Sequence, residues 1–328
     1  MAGLDLGKRR ALDRPPAAGD CSRMRTVPRR GLLLAVAAAF AALPVRAQSA
    51  VTTDLWRVAA GTLVEPAALA AEGAAPLWTP AYALPGRQPG AMVSVEAVHA
   101  PAEAGVGGAL ASFSYRPRGA WTLSAVWGRL SVNDLVRTET SPEGLGDIAA
   151  YTQILSLGVA RTLDGGAWTV GAAARELSGR LDALGSSRWT ADFGAAYTGR
   201  HLRLGAATRF FDPTSASAES GAEYSFGAEL RTSEGTLWGA PATAALRYGV
   251  GFAHGEQASH LLTAGVLLAR VFEFDAGAAR ESAAGEVVWR SRIGAAVSAG
   301  RYRVYLGRDG GVNGFDATYR FGLSARVR

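Results

Sequence analysis

Charged side chains at alternating positions form the main candidate site in this sequence. Arginines cluster in three stretches near the end of the chain, 287–298, 301–308 and 314–327, and acidic residues occupy matching positions in earlier stretches. A basic wall that faces acidic residues is typical of pore constrictions, and plain ion pairing that fills a narrow interior gives the same pattern. Both interpretations stay open here. The candidates are Arg247, Arg290, Arg292, Arg301, Arg303, Arg320, Glu223, Glu229, Glu273, Asp275 and Asp316.

Catalytic and metal-binding motifs offer no competing site. The sequence contains no G-x-S-x-G, H-E-x-x-H, Walker A or dinucleotide-binding pattern. His254 and His260 match no zinc spacing, and Asp309, Asn313 and Asp316 lack the terminal Glu of an EF-hand loop. We therefore expect no catalytic residue, no cofactor and no metal ion.

The elements that must position the charges are β-strands. From about residue 90 onward apolar residues recur at every second position, as in 315–327, and this period is typical of a strand with one apolar face. Most of the segments exceed the ~5–6 residues of a soluble strand and match the ~9–11 residues of a transmembrane strand. Fourteen segments are predicted: 92–99, 107–116, 120–131, 152–163, 166–178, 188–198, 201–211, 221–232, 241–254, 260–270, 272–280, 287–298, 301–308 and 314–327.

The links between these segments alternate in length. Short links alternate with longer ones such as 132–151, 179–187 and 281–286, and the link at 233–240 is an exception because a tight turn is expected there. Outer-membrane barrels have short periplasmic turns and longer outside loops. The pattern predicts an all-β transmembrane antiparallel barrel of about 14 strands, with both ends in the periplasm. A soluble β-sandwich or solenoid is the alternative.

The two faces of the predicted strands suit a membrane. Backbone polar groups in hydrocarbon need internal partners, so strands persist there only in a closed barrel. The apolar face would meet lipid and the charged face the lumen. Five tryptophans fall in strands, several near strand ends where aromatic girdles lie, although a sandwich core would also hold them: Trp121, Trp127, Trp168, Trp189 and Trp289.

The positive charge belongs to the leader. Residues 1–47 contain nine basic and three acidic side chains, whereas residues 48–328 contain 25 of each, so a nucleic-acid partner is not expected. Arginines followed by an apolar run and by Val45-Arg46-Ala47 predict a signal peptide at 1–47, which begins more tidily at Met24 than at Met1. The single cysteine, Cys21, lies in this leader.

Residues 48–90 differ from the strands that follow. Their mixed pattern around 55–72 predicts a short helix and loops, too polar and interrupted to span a membrane. We expect them to form a plug or a periplasmic cap, and residues 91–328 to form the barrel.

Five stretches carry recognisable motifs: 54–61 (DLWRVAAG), 75–81 (APLWTPA), 188–197, 202–205 and 210–213. Together they resemble the PorV/PorQ family, whose barrels are related to FadL-type fatty-acid transporters. It implies a 14-stranded barrel that acts as a conduit for hydrophobic substrates or as an outer-membrane partner of a secretion system. The family motif in the plug corresponds to Trp78, Thr79, Pro80 and Ala81.

These observations together predict a protein of the cell outer membrane. Its expected function is passive transport of a small or hydrophobic substrate. The alternative is a non-conducting accessory or scaffold for protein secretion or surface attachment. The expected partners are outer-membrane lipid and either a hydrophobic small molecule or a secretion-system protein.

Overall fold

A computed structural model describes most of the chain after the leader. It covers Trp56 and residues 59–86, 88–100, 105–133, 135, 146, 148–213, 221–253, 256–283, 286–311 and 317–327. The predicted signal peptide and Asp316 lie outside the described residues.

The strands form a closed antiparallel barrel, as the sequence predicted. Each strand except β9 pairs with the strands next to it in the wall. β8 pairs directly with β10, and β1 pairs with β15, which leaves fourteen strands in the wall. The fifteenth, β9, is a short hairpin partner of β10. The strands are β1 Gly90–His99, β2 Val106–Arg116, β3 Trp121–Val132, β4 Ala150–Leu163, β5 Trp168–Leu181, β6 Leu184–Thr198, β7 Leu202–Phe211, β8 Glu223–Arg231, β9 Gly235–Leu237, β10 Ala240–Ala253, β11 Ser259–Leu268, β12 Phe272–Ala283, β13 Glu286–Ala299, β14 Tyr302–Asp309 and β15 Thr318–Val327.

Two predicted long loops are wrong. The segment 179–187 continues β5 and β6 as a paired hairpin that turns at Asp182 and Ala183, and β12 and β13 likewise stay paired up to Ala283 and Glu286. Ser, Gly and Arg residues break the apolar alternation in the first hairpin. Backbone pairing continues there nonetheless, because it does not depend on an apolar face.

The exceptional link at 233–240 also has a structural explanation. Gly235, Thr236 and Leu237 pair with the start of β10, so the link is a hairpin that extends the wall past the neighbouring turns. We call the end with the short turns the turn end and the opposite end the loop end.

The outer face of the barrel is apolar and the inner face is polar. On β4, Leu157 is 59% exposed whereas its neighbour Ser156 is 2% exposed. Aromatic residues mark both ends of this apolar surface. Trp121 and Trp168 begin strands at the turn end, whereas Trp189 and Trp289 lie in the loop-end halves of their strands. This arrangement is typical of a barrel whose apolar band contacts lipid.

Residues 59–86, which we call the inner segment, lie inside the barrel before β1 begins. Its short elements are a 3-10 turn, Ala67–Leu69, and a single helical turn, Ala75–Trp78. Leu69, Ala74 and Trp78 are at most 1% exposed because the wall surrounds them. Within the described residues, no helix has the length and apolar character needed to cross a membrane.

Candidate lumenal site

Arg247 is the centre of a charged network on the inner wall. Its guanidinium donates to Glu229 on β8 at 2.6 Å and to Glu273 on β12 at 3.2 Å, and it also pairs with Asp275. Alternation on β8, β10 and β12 brings these side chains to one face. Arg247 is only 4% exposed, so its charge depends on these carboxylates for compensation.

The inner segment joins this network through two acidic residues. Glu65 lies 3.7 Å from Arg247, and Glu72 accepts a hydrogen bond of 2.9 Å from Nε of Arg303 on β14. Arg303 also donates to Glu273 at 2.8 Å. The ion pairs therefore attach the segment to β10, β12 and β14 together.

A second cluster is built on β12, β13 and β14. Arg290 and Arg292 both donate to Asp309, at 2.9 and 3.1 Å, and both pair with Glu281. Arg292 also donates to the carbonyl oxygen of Leu63 at 3.2 Å. This cluster therefore holds the inner segment by its backbone, close to the loop end.

Glu96 on β1 links the barrel seam to the inner segment. One carboxylate oxygen accepts the backbone N–H of Ala74 at 2.5 Å, and the other pairs with Arg320 on β15. Glu96 is 4% exposed and Arg320 is 3% exposed. One carboxylate therefore bridges the first strand, the last strand and the inner segment.

Trp78 lies between two arginines. The guanidinium carbons of Arg209 and Arg320 lie 5.2 and 5.3 Å from its ring centroid, within the range of cation–π interactions. Thr79, Pro80 and Ala81 follow at positions buried against β5 and β6. The motif predicted for the plug thus occupies the middle of the lumen.

The candidates named from the sequence omit one buried pair, Arg175 and Asp192, although alternation places both on the inward faces of β5 and β6. Both are 0% exposed, and Arg175 also donates to the carbonyl oxygen of Leu77 at 2.8 Å. Asp192 accepts the backbone N–H of Phe210 at 2.8 Å where the register of β6 and β7 shifts. Phe210 has φ of 57° and points inward, although its neighbour Phe211 points outward. Bulges of this kind redirect side chains, and simple alternation cannot anticipate them.

Glycines on the wall strands leave room for the inner segment where it passes close to the wall. A Cβ added at Gly194, Gly227 or Gly249 would lie 2.7–2.8 Å from atoms of Ala81, Leu69 or Pro66, below the separation that real Cβ atoms tolerate. At Gly171 the added atom would overlap the backbone of Pro80. The same holds on other strands for Gly205 against Ala68, Gly294 against Val64 and Gly307 against Thr62.

Burial changes the acidity of the inner segment. Burial raises the pKa of Glu72 to about 7, and Arg303 acts in the opposite direction. Burial also raises the pKa of Glu65, with Arg247 opposing, and it raises that of the Tyr82 hydroxyl. Two of the groups that tie the segment to the wall therefore titrate above the ordinary range of a carboxylate.

A cavity of about 380 Å³ remains between the inner segment and the wall at the loop end. Leu63, Pro66 and Ala67 form its apolar side. The opposite side is formed by polar and glycine positions of the wall, among them Arg209, Glu223, Ser225, Gly249, Glu281 and Arg290. These arginines are already paired with carboxylates, as Arg209 is with Glu223 at 2.5 Å. The cavity therefore offers both apolar contact and compensated charge.

Most of the candidate residues predicted from the sequence point into the lumen, and Arg301 does not. Nine of them, on β8, β10 and β12 through β15, belong to the clusters above: Glu223, Glu229, Arg247, Glu273, Asp275, Arg290, Arg292, Arg303 and Arg320. Arg301 does not point into the lumen. It is exposed in the turn before β14 and lies over the Tyr302 ring, because alternation applies only once the strand has begun. Among the described residues, no cluster of His, Cys, Asp and Glu could hold a metal ion.

The sequence reasoning also missed Glu65, Glu72, Glu96 and Asp309 as partners of these arginines. Glu65 and Glu72 lie where no alternation exists, so no periodic signal marks them. Glu96 and Asp309 occupy inward positions of β1 and β14, and the alternation of those strands could have identified them.

No family model matches the chain, and no curated protein matches it. Among solved structures, it is similar to the Pseudomonas putida toluene transporter TodX at 10% identity and a TM-score of 0.49, over 80% of this chain and 94% of that one. It is also similar to the Ralstonia pickettii toluene transporter TbuX at 11% identity and a TM-score of 0.47, over 77% of this chain and 92% of that one. Similarity to CdiB from Acinetobacter baumannii has 10% identity and a TM-score of 0.41. It covers 74% of this chain, which spans 60% of the length of that protein. The function proposed below rests on this chain's own geometry.

Proposed function

We propose that the chain is an outer-membrane barrel that lets a small, partly hydrophobic substrate cross the membrane passively. The observation that carries this proposal is the cavity of about 380 Å³ between Leu63, Pro66, Ala67 and the wall. Its size falls within the roughly 300–1,000 Å³ of small-molecule sites, and its lining combines apolar surface with a few polar groups. The outward apolar band supports the membrane location.

The loop end would face the outside in this proposal. Long connections lie at that end, and the cavity opens beside the strand ends at Ala253, Ser259 and Glu281. The leader at 1–47 would direct export and be cleaved. The motifs at 54–61 and 75–81 support a kinship with the PorV/PorQ family.

The inner segment would act as the gate below the cavity. It fills the middle of the lumen, and two of its charged attachments are side-chain ion pairs, Glu65 with Arg247 and Glu72 with Arg303. When the segment moves away, Arg247 keeps Glu229, Glu273 and Asp275, and Arg303 keeps Glu273. Neither arginine would then be left buried without a carboxylate, which is the costly case. A substrate in the cavity would pass when the segment shifts toward the turn end.

Uptake into proteoliposomes tests the proposal. We expect the wild-type barrel to accelerate entry of small apolar solutes. Ala67→Trp, which fills the cavity, should lower the rate severalfold. Ala83→Trp is a matched control, because Ala83 lies on the same segment and does not line the cavity.

Unchanged uptake in Ala67→Trp would exclude the cavity as the route. Absence of uptake in the wild type, with a closed planar bilayer, would overturn the transport proposal.

A second candidate is a non-conducting scaffold for protein secretion or surface attachment. The complete burial of Leu69, Ala74 and Trp78 favours it, since a lumen filled this tightly needs no substrate. Co-purification of a secretion protein with a barrel that neither conducts nor takes up solutes would support this candidate.

A further inference from the structure

Three residues on adjacent strands form a row on the outer face near the loop end. His260 on β11 is opposite Arg280 on β12, and Arg280 is opposite Trp289 on β13. Their inward neighbours Leu261 and Ala279 are buried, so alternation places the row on the outside. Directly opposite residues on neighbouring strands lie about 4.5–5.5 Å apart at Cα, which brings the three side chains together.

Tyr248 on β10 fixes the imidazole of this row. Its hydroxyl lies 2.8 Å from Nδ1 of His260, and the two rings are 6.1 Å apart. The Nε2 atom of His260 is therefore left for another partner. Trp289 is 67% exposed, lies opposite Arg280 on the neighbouring strand and presents a large apolar surface there. We call Tyr248, His260, Arg280 and Trp289 the outer basic cluster.

The charge on the outer face is one-sided. The carboxylates that the structure describes within strands point inward and form ion pairs, apart from Glu176, which lies on β5 across the barrel. Arg280 has no ion pair within the described part of the chain. Arg308 on β14 also points outward toward the same end. The outer surface of these strands therefore has two arginines without a facing strand carboxylate in the described part of the chain, at the level of the loop-end aromatic residues.

We propose that the outer basic cluster binds the phosphate-bearing headgroup of a membrane lipid in the leaflet at the loop end. A guanidinium and an imidazole about one strand apart can both donate to one phosphate, and arginine does so through two parallel hydrogen bonds. Trp289 then packs against the acyl chains at the interface, where tryptophan is favoured. A soluble anion would gain nothing from Trp289 or from the level of the cluster at the border of the apolar band.

Native mass spectrometry of the barrel released from nanodiscs tests this inference. The nanodiscs contain phosphatidylcholine with or without phosphatidic acid, whose headgroup is a phosphate monoester. We expect the wild type to retain phosphatidic acid. The double variant R280Q/H260Q should bind it about tenfold more weakly, which corresponds to ~1.4 kcal/mol.

Arg161→Gln is the matched control. Arg161 also points outward beside a tryptophan, 5.1 Å from the Trp121 ring centroid, but it lies at the turn end. Its loss should leave retention unchanged. Equal retention by R280Q/H260Q and the wild type would overturn the inference, as would equal losses in R161Q. Displacement of the lipid by inorganic phosphate at equal concentration would also overturn it, because it would indicate a soluble anion.

The inference rests on the proposed membrane location but not on transport. Lipid retention together with a non-conducting barrel would leave the cluster assignment intact. Solute uptake together with no lipid retention would refute only the cluster.

Discussion

At the scale of single residues, burial decides what each charge does. Arg175 and Asp192 are wholly enclosed, whereas Arg270 and Glu234 form a hydrogen-bonded pair at 2.9 Å in open solvent. The enclosed charges cannot return to water when a partner is lost, and the exposed ones can. The two pairs therefore offer a direct comparison.

We expect Arg175→Met to destabilise the folded barrel by about 3–5 kcal/mol, because it leaves the Asp192 carboxylate buried without a cation. The free energy of unfolding in urea, followed by tryptophan fluorescence, measures this loss. R175M/D192N should recover part of it, since the amide keeps an acceptor for the Phe210 N–H. Arg270→Gln is the control and should change little. Equal effects of the two arginine variants would contradict this explanation.

Glu72 gives a prediction for pH. Its pKa is raised from an ordinary value of 4.5 to about 7, so its protonated form is favoured in the folded state. Its stabilising contribution is then complete below pH 4.5 and is lost as the pH rises through about 7. Arg303, Glu273 and Glu65 surround this carboxylate and set the remainder of its environment.

We therefore expect Glu72→Gln, which stays neutral, to gain stability relative to the wild type as the pH rises through about 7. Thermal unfolding midpoints of both proteins below pH 4.5 and above pH 7 measure the difference. If the wild type instead became more stable relative to the variant at the higher pH, the ion pair with Arg303 would outweigh the cost of burying the Glu72 carboxylate.

The sequence identified the charged residues on regular wall strands better than it identified the groups that bind them elsewhere in the lumen. Arg247 and Glu229 follow from period two, because a regular strand converts spacing directly into direction. Glu72 lies in a segment without a period, and the backbone N–H of Phe210 that Asp192 accepts is placed by a bulge in β7. Both depend on tertiary packing that local spacing does not encode.

At the scale of elements, the inner segment and the glycines of the wall fit each other. The segment follows the inside of the barrel because successive strands lack a side chain where it passes, as at Gly171 against Pro80 and Gly249 against Pro66. The sequence predicted that this segment forms either a plug or a periplasmic cap. It did not identify the matching glycines, because a glycine in a strand has several common uses.

We expect Gly171→Val to leave the barrel wall assembled but to displace the inner segment, because the new side chain would occupy the position of the Pro80 backbone. The expected measurement is a rise in single-channel conductance in planar bilayers. Gly235→Ala is the matched control, since a Cβ there meets nothing within 4 Å. A conductance equal to that of the wild type would show that the segment does not limit the lumen.

At the scale of the whole molecule, closure makes the wall a single cooperative unit. Each of the fourteen wall strands has partners on both sides, and β1 with β15 completes the ring. The number of strands and their order could be predicted because fourteen separate alternating segments each specified one strand. The lengths of the hairpins at the loop end could not be predicted. Polar residues there continue the backbone pairing, but they leave no alternation of apolar residues in the sequence.

We expect the folded protein to migrate faster than the heat-denatured protein in detergent gels, because a closed barrel stays compact until boiled. The R175M variant should convert to the slower form at a lower temperature. Identical migration before and after boiling, together with solubility without detergent, would contradict the membrane barrel.

The seam between the first and last strands has a consequence for assembly. Because β1 pairs with β15, no closed wall exists until the first and last strands meet. The ring therefore closes around a segment that precedes the first strand in the chain. The Glu96–Arg320 pair, which bridges this seam and holds Ala74, forms only at that final step. Fixing Ala74 and completing the ring are thus coupled, and both depend on the pairing of the first strand with the last, a contact of long sequence separation that is slow to form.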